Sequence, residues 1–245
     1  MIIFPAIDIR GGRCVRLTEG RFDKETVFAD NPPEMARKWV AAGAEYLHVV
    51  DLDGAVAGKP VNLEVVGAIV KTAIIPVQLG GGIRTIDTIE QVLAVGVSRV
   101  ILGSVAVRNP ELVREACRQF GSRIVVGIDA RDGQAAVDGW GTAGGIGAEE
   151  LAQKMAAAGV ARIIYTDISR DGTLQGVNVA ATAALAKAAG IPVIASGGVK
   201  SLDDITALTA ANADGGMEGV IVGKAIYTGA VDLTAAIRLA KEGTV

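Results

Sequence analysis

Two aspartates stand at matched places in the chain and could carry acid–base chemistry. Asp8 follows an apolar run at residues 2–7, and Asp129 follows another at residues 124–128. Two carboxyl groups in different surroundings can differ in protonation at neutral pH, so that one acts as an acid and the other as a base. A single aspartate at the end of a strand often only caps a turn. Because the residue recurs in both halves of the chain, the sequence predicts a catalytic pair, although descent from a duplicated ancestor could also preserve it.

Glycine-rich clusters follow four other apolar runs and could bind phosphate through backbone N–H groups. The candidate phosphate-binding residues are Gly81, Gly82, Gly103 and Ser104 in the first half and Gly197, Gly198, Gly223 and Lys224 in the second. One isolated glycine pair usually marks only a tight turn. Four clusters at paired positions favour two phosphate sites, and two sites predict a bisphosphorylated small-molecule ligand.

Such residues need a scaffold that brings the ends of many strands together. Apolar β-branched runs alternate with amphipathic helical patterns, and the count of such units reaches eight. The predicted strands cover residues 2–8, 45–51, 75–79, 98–102, 123–129, 161–166, 192–195 and 219–222. At 245 residues the chain has the length of one (β/α)₈ (TIM) barrel, in which all strand carboxyl ends open on one face.

An internal repeat supports this fold. Four pairs of short segments match in the same order: residues 7–9 with 128–130, 51–52 with 167–168, 81–83 with 197–199, and 100–103 with 220–223. A period of about 120 residues, near half the chain, indicates two half-barrels that close each other's open sheet edges. We therefore predict one domain at residues 1–245, with halves at about 1–122 and 123–245.

Weaker signals lie in the longer connections. The segment at residues 9–31 carries arginines that could close over an anionic ligand, and the glycine-rich segment at residues 141–147 is interpreted as a mobile lid. Trp140, beside that lid, could stack on a heterocycle. His48 lies in a predicted strand, where a hydrogen-bonded interior position explains it as well as catalysis would, so we assign it no role.

Composition excludes several classes of protein. Half of the residues are hydrophobic, yet no apolar run approaches the roughly 20 residues that a membrane span needs. The formal net charge is -3, and Lys and Arg are scattered, which argues against a nucleic-acid surface. Cys14 and Cys117 have no metal-ligand spacing, and residue 1 leads directly into a predicted strand without a signal sequence. We expect a cytoplasmic, monomeric protein without nucleic-acid or membrane partners.

Four segments together resemble one known family. They are Pro5 to Gly12 (PAIDIRGG), Val49 to Gly54 (VVDLDG), Gly80 to Arg84 (GGGIR) and Thr166 to Thr173 (TDISRDGT). In this combination they resemble the histidine-biosynthesis isomerase family, the phosphoribosylformimino-5-aminoimidazole carboxamide ribotide isomerases, from residue 1 to about residue 240. The resemblance implies an Amadori rearrangement of an aminoaldose bearing two phosphates into an aminoketose, the fourth step of histidine synthesis. It implies neither a metal nor an organic cofactor.

The resemblance also assigns roles to particular residues. Asp8 matches the family's general base, and Asp129 matches its general acid. Further matches are active-site positions at Asp171 and Thr166 and substrate-holding positions at Arg16, Arg84 and Trp140.

Three alternatives stay open at this point. The cyclase that acts next in the pathway has a similar fold, repeat and set of phosphate sites, but its pattern carries lysines where this chain has Arg10 to Arg13 and Arg131. A dual-specificity isomerase would also convert phosphoribosylanthranilate, with the Trp140 loop deciding specificity. A non-catalytic phosphate-binding barrel is the third, and the retention of both Asp8 and Asp129 argues against it.

Overall fold

The structure is a computed structural model and describes residues 1–137 and 139–242. Within those ranges the chain forms twelve strands. They are β1 (Ile2–Arg10), β2 (Arg13–Thr18), β3 (Arg21–Ala29), β4 (Leu47–Asp51), β5 (Val77–Gly80), β6 (Arg99–Leu102), β7 (Ile124–Arg131), β8 (Gln134–Val137), β9 (Thr142–Gly147), β10 (Ile163–Asp167), β11 (Val193–Ser196) and β12 (Met217–Val222).

Eleven α-helices lie between and after these strands in the described ranges. They are α1 (Pro32–Ala41), α2 (Leu52–Ala57), α3 (Leu63–Ala73), α4 (Ile86–Ala94), α5 (Val105–Arg108), α6 (Pro110–Phe120), α7 (Ala148–Ala157), α8 (Val179–Ala189), α9 (Leu202–Ala211), α10 (Lys224–Tyr227) and α11 (Leu233–Glu242). Two long helices begin at proline, α1 after an Asn31 cap and α6 after an Asn109 cap, because proline lacks only a donor that the first turn leaves unused.

Eight of the described strands close into a parallel barrel. β1 pairs with β4, then β5, β6, β7, β10, β11 and β12 follow in order, and β12 pairs again with β1. These are the eight strands that the sequence predicts, shifted at their ends by two residues at most. The predicted (β/α)₈ fold is confirmed. β1 and β7 lie on opposite sides of the barrel, since three barrel strands separate them in either direction.

The core has an inner and an outer part. The inner part fills the barrel with the buried side chains of Phe4, Tyr46, Ile101, Val125, Ile164, Ile194 and Ile221. The outer part lies between the strands and the surrounding helices and includes Ile7, Leu47 and Ile163. Burial of each large apolar side chain contributes about 1.5 to 3 kcal/mol, so the barrel wall is the stable part of the molecule from which the site projects.

A cluster of charges lies at the amino ends of the strands. Glu218 accepts from Arg99 Nη1 at 2.8 Å and from Arg162 Nε at 2.7 Å. The guanidinium of Arg99 also lies 4.6 Å from the centre of the Tyr46 ring. With the apolar layer above it, this cluster closes that end of the barrel, so the cavity that could hold a ligand is at the opposite end.

Two antiparallel hairpins that the sequence pattern did not predict extend from the carboxyl ends of opposite barrel strands. β2 pairs with β1 and β3, and β8 pairs with β7 and β9. The segments that we interpreted as long arginine-rich and glycine-rich connections are thus largely strands. The outer strand of the first hairpin, β3, is mostly exposed, so it lacks the buried alternation that identifies a half-buried strand in a sequence.

The repeat appears in the architecture as well. Each hairpin follows a strand carrying one of the two paired aspartates, and the first four barrel strands correspond in order to the last four. The boundary between halves near residue 122 stays a prediction, and residues 243–245 of the predicted second half lie outside the described residues. No helix in the described part of the chain is long and apolar enough to cross a membrane.

Candidate active site

A cavity of about 290 Å³ lies at the carboxyl ends of the barrel strands. It is lined by most of the residues that the sequence singled out: Asp8, Arg16, Gly81, Gly82, Arg84, Gly103, Ser104, Asp129, Trp140, Thr166 and Asp171. The volume is at the low end of the range for ligand sites. It is small because the hairpins meet above it, where the ring of Trp140 lies against the backbone of Gly20.

Asp8 forms a buried ion pair. Its Oδ2 atom lies 2.8 Å from Nη1 of Arg16, a residue of the first hairpin that turns into the cavity. Burial raises the pKa of Asp8 to about 6, with Arg16 lowering it and the neighbouring Asp171 raising it. Near neutral pH this carboxyl group is therefore ionised yet basic enough to accept a proton.

Asp129 is held by hydrogen bonds from two sides. The indole Nε1 of Trp140 donates to Oδ2 of Asp129 at 2.8 Å, and the side chain of Thr166 forms another hydrogen bond with the same carboxyl group. Burial raises the pKa of Asp129, as does the charge of Asp171, whereas both hydrogen bonds lower it. Asp129 is thus an acid whose strength depends on whether Trp140 stays in place.

A third carboxyl group, Asp171, lies in the loop after β10. Burial raises the pKa of Asp171, and the charges of Arg16 and Lys224 lower it. Its backbone carbonyl accepts a hydrogen bond from the N–H of Glu19 at 3.0 Å, which joins this loop to the first hairpin. Three carboxyl groups, Asp8, Asp129 and Asp171, therefore share the cavity with the guanidinium of Arg16, an arrangement that separates pKa values.

His48 lines the floor of the same cavity. Its Nδ1 atom lies 3.1 Å from the side-chain amide nitrogen of Gln78, which is fully buried. Burial and the charge of Arg16 lower the pKa of His48 to about 3, so the ring is neutral at physiological pH. The hydrogen-bonded interior position considered in the sequence analysis is what the structure shows, and the ring is in addition exposed to the cavity.

The first glycine cluster borders the cavity. Gly81, Gly82, Gly103 and Ser104 are all on its wall, together with Arg84, whose Nη2 donates to the carbonyl of Ala55 at 3.4 Å. Within the described ranges, the N–H groups of Gly82 and Gly103 donate to no protein acceptor. These donors point to an anionic ligand at this side of the cavity.

The second glycine cluster is not on the cavity wall. Gly197 and Gly198 are buried, and Gly223 lies directly behind the guanidinium of Arg16. The ammonium group of Lys224 donates to the carbonyl of Gly172 at 2.9 Å. The predicted paired clusters thus differ in this structure: the first is open to the cavity, whereas Arg16 and the loop after β10 cover the second.

A second cavity, of about 410 Å³, lies on the outside of the barrel between α7 and α8. Tyr165 and Asp167 line it, whereas Thr166 between them lines the barrel mouth, which places the two cavities on opposite faces of β10. The outer cavity contains neither Asp8 nor Asp129. Convergent groups with shifted pKa values identify a catalytic site better than volume does, so the mouth is the candidate active site.

Several contacts in the site could not be predicted from the sequence. Neither the Arg16 to Asp8 ion pair nor the Trp140 to Asp129 hydrogen bond was predicted, because both depend on the hairpins. Asp132-Gly133 is a strong hairpin signal between β7 and β8 and has positive φ at both residues, so β8 could have been found from it. No group of three or more His, Cys, Asp or Glu side chains in the described part of the chain is placed to hold a metal ion.

The fold and the site together define a class. A closed (β/α)₈ barrel that presents carboxyl groups from opposite strands to one cavity, beside backbone donors without an acceptor among the described residues, is typical of a barrel enzyme that uses acid–base chemistry.

Comparison with known proteins identifies the family. A family model described as "Histidine biosynthesis protein" matches residues 2–232. A relative from Geobacter sulfurreducens is 58% identical over 243 residues, covering 99% of both chains, and one from Trichlorobacter lovleyi is 59% identical over 243 residues with the same coverage. Both are named 1-(5-phosphoribosyl)-5-((5-phosphoribosylamino)methylideneamino) imidazole-4-carboxamide isomerase, as is a relative from Heliobacterium modesticaldum at 54% identity. The chain belongs to the histidine biosynthesis protein family.

Proposed function

We propose that this protein is an aldose–ketose isomerase of histidine biosynthesis. Its substrate is the aminoaldose N′-((5-phosphoribosyl)formimino)-5-aminoimidazole-4-carboxamide ribonucleotide, and its product is the corresponding aminoketose. The observation that carries the proposal is the pair of carboxyl groups, Asp8 and Asp129, that opposite strands present to one cavity in a chain 58% identical to a named isomerase. The relatives' names favour the isomerase over the cyclase and over a non-catalytic barrel.

The reaction requires one acid and one base. Asp129 donates a proton to the ribose ring oxygen, the bond from that oxygen to C1 breaks, and an iminium group forms at C1. Asp8 then takes the proton from C2, which gives an enolamine. Proton return at C1 and loss of the hydroxyl proton at C2 produce the ketone. C1 is reduced and C2 is oxidised within one molecule, so atoms and electrons balance without an external redox partner.

The electrostatics of the site support these two roles. Arg16 opposes the effect of burial on Asp8 and so favours the ionised base. Burial and Asp171 favour the protonated form of Asp129. Burial and Asp171 raise the pKa of both carboxyl groups, and Asp8 differs in having the Arg16 guanidinium beside it, a charge that favours the ionised form a base needs. Thr166, within hydrogen-bonding reach of Asp129, positions the acid.

The remaining predicted residues hold the substrate. Gly81, Gly82, Gly103 and Ser104 take one phosphate, and Gly197, Gly198, Gly223 and Lys224 take the other. Arg16 suits contact with the ligand, because its buried Nε atom has no partner among the described residues. A substrate with two phosphates is too large for the present cavity, so the hairpins separate at the Trp140 to Gly20 contact to admit it. Trp140 and Arg84 then close over the bound molecule and exclude water.

Other expectations accompany this function and stay predictions. We infer that the reaction needs neither a metal nor an organic cofactor, that the protein acts as a monomer in the cytoplasm, and that its partner is the small bisphosphorylated substrate rather than nucleic acid or membrane. We also infer that the two halves of the chain, about 1–122 and 123–245, derive from one half-barrel.

A direct assay tests the proposal. The purified chain is mixed with the aminoaldose and, separately, with phosphoribosylanthranilate, and the absorbance change of each is followed. A double variant, Asp8→Asn with Asp129→Asn, is purified identically and measures the background from contaminating host enzyme. We expect conversion of the aminoaldose well above that background.

The two substrates in this assay test different statements. A correctly folded chain that leaves the aminoaldose unchanged contradicts the proposed function. Conversion of phosphoribosylanthranilate as well would establish the dual-specificity alternative, and its absence would exclude it.

A further inference from the structure

A pair of side chains is repeated in the two halves and has no role in the chemistry above. Asp51 ends β4, and Asn62 follows it by 11 residues; Asp167 ends β10, and Asn178 again follows by 11 residues. In each pair the asparagine Nδ2 donates to the aspartate carboxylate at 2.7 Å. We call these two pairs the Asp–Asn clamps.

Each clamp closes the loop that follows its strand. Asp51 is fully buried and also accepts from the backbone N–H groups of Gly54 at 2.8 Å, Val61 at 2.7 Å and Asn62 at 2.9 Å. Asp167 accepts from the N–H of Ser169 at 3.1 Å and from its hydroxyl at 2.6 Å. A buried carboxylate with this many donors fixes the loop around it, because each broken bond would leave a polar group without a partner.

The glycine clusters pack directly against the clamped loops. The Cα of Gly81 lies so close to the carbonyl of Asp51 that a Cβ there would collide with it, and Gly197 has the same relation to Asp167. In the second half the N–H of Gly176 donates to the carbonyl of Gly198 at 2.8 Å. Backbone therefore lies directly on backbone, and the position of each clamped loop sets the position of the glycines beside it.

The glycines positioned in this way carry free donors. Among the described residues, the N–H groups of Gly82 and Gly198 have no protein acceptor. Gly82 packs against the carbonyl of Gly54, a residue whose own N–H is held by Asp51, and Gly198 packs against the carbonyl of Gly176. A displacement of either loop thus moves the donor that the proposed function assigns to a phosphate.

We propose that Asn62 and Asn178 are positioning residues for the two phosphates, each acting through its aspartate and loop on the glycine cluster of the same half. This inference rests on the proposed function, since it concerns the phosphate sites of that same active site. It assigns the first phosphate to the Asn62 clamp and the second to the Asn178 clamp, and it requires the two to act independently.

The two asparagines allow selective variants. Asn62 makes no side-chain cap for α3, and its amide donates only to Asp51 and Asp53 among the described residues, so Asn62→Ala removes the clamp without removing a helix cap. Asn178 also accepts from the N–H of Ala181 and caps α8. Asn178→Ser keeps a side chain that caps well while losing the amide donor to Asp167.

The experiment is a titration of the ¹⁵N-labelled full chain with inorganic phosphate, followed through the amide resonances of Gly82 and Gly198. In the wild type both resonances shift. In Asn62→Ala the apparent Kd for phosphate measured at Gly82 increases about tenfold, as expected for loss of one or two hydrogen bonds. The Kd measured at Gly198 stays within about twofold of the wild-type value. Asn178→Ser gives the reverse pattern.

The outcomes separate the inference from the proposed function. Unchanged affinities in both variants overturn the inference, and so does an equal loss at both glycines, which is what general loss of stability would cause. A wild type whose Gly82 and Gly198 resonances ignore phosphate contradicts the phosphate sites of the proposed function themselves, and the inference falls with them. Thermal unfolding of each variant, in parallel, shows whether the fold is retained.

Discussion

Replacing Trp140 by phenylalanine should raise the pKa of Asp129 and leave the pKa of Asp8 unchanged. The indole Nε1 of Trp140 donates to Oδ2 of Asp129 at 2.8 Å, and this bond lowers the pKa of Asp129. Phenylalanine keeps an aromatic ring against Gly20 but has no N–H. The pKa of Asp129 in the free enzyme should therefore rise.

The size of the rise follows from the strength of the bond. A hydrogen bond to a charged group contributes about 1.5 to 3 kcal/mol. Trp140 is only partly buried, so the lower end applies, and because one pKa unit corresponds to about 1.36 kcal/mol we expect a rise of about one unit.

The assay is the pH dependence of kcat/KM, which reports the ionisations of the free enzyme. The acid must be protonated, so activity falls as pH rises through the pKa of Asp129, and this alkaline limb should move upward by about one unit in Trp140→Phe. The acidic limb belongs to Asp8 and should stay near pH 6, which makes it an internal control. A ¹³C titration of the aspartate carboxyl groups gives the same pKa independently of turnover.

Two results would refute this reasoning. An alkaline limb at the same pH in the variant would mean that Trp140 does not hold Asp129 in the free enzyme. A shift of the acidic limb instead would mean that the acid and base assignments are reversed.

Further predictions concern the base and the glycine clusters. Since the charge of Arg16 lowers the pKa of Asp8, Arg16→Gln should move the acidic limb of kcat/KM from about pH 6 to higher pH, because the base must be ionised; a limb that stays in place counts against this ion pair. Gly82 has a φ of 74° and no room for a Cβ, so Gly82→Ala should reduce the free energy of unfolding in urea by about 1 to 3 kcal/mol. Gly103→Ala is the matched control, since a Cβ there meets no atom of the described residues within 4 Å, and an equal loss in both variants would contradict the close packing of Gly82.

The barrel could be predicted because its signals are local and repeated. Strands such as β7 are buried on both faces and appear in the sequence as continuous apolar runs, so the run from Ile124 to Ile128 predicts a strand. Once eight such runs are counted, the closed parallel order places Asp8 and Asp129 on opposite staves at one end. The acid–base hypothesis needed no knowledge of individual contacts.

The hairpins could not be predicted in the same way. β9 is glycine-rich and largely exposed, and its pairing with β8 comes from backbone hydrogen bonds rather than from a buried side-chain pattern. From the sequence, Arg16 and Trp140 could therefore be placed only on the connections between barrel strands. Their contacts with Asp8 and Asp129 are seen only in the folded structure. The difference between the two glycine clusters has the same origin, since Arg16 covers Gly223 and no residue in the described ranges covers Gly103 in the same way.

The catalytic roles of Asp8 and Asp129 are the central claim, and steady-state kinetics of Asp8→Asn and Asp129→Asn test it most directly. Each variant keeps the shape of the site and removes one titratable group. The account predicts that turnover of the aminoaldose falls by at least about 10²-fold in each, with substrate affinity largely intact. Turnover near that of the wild type in either variant would contradict the assignment of that residue.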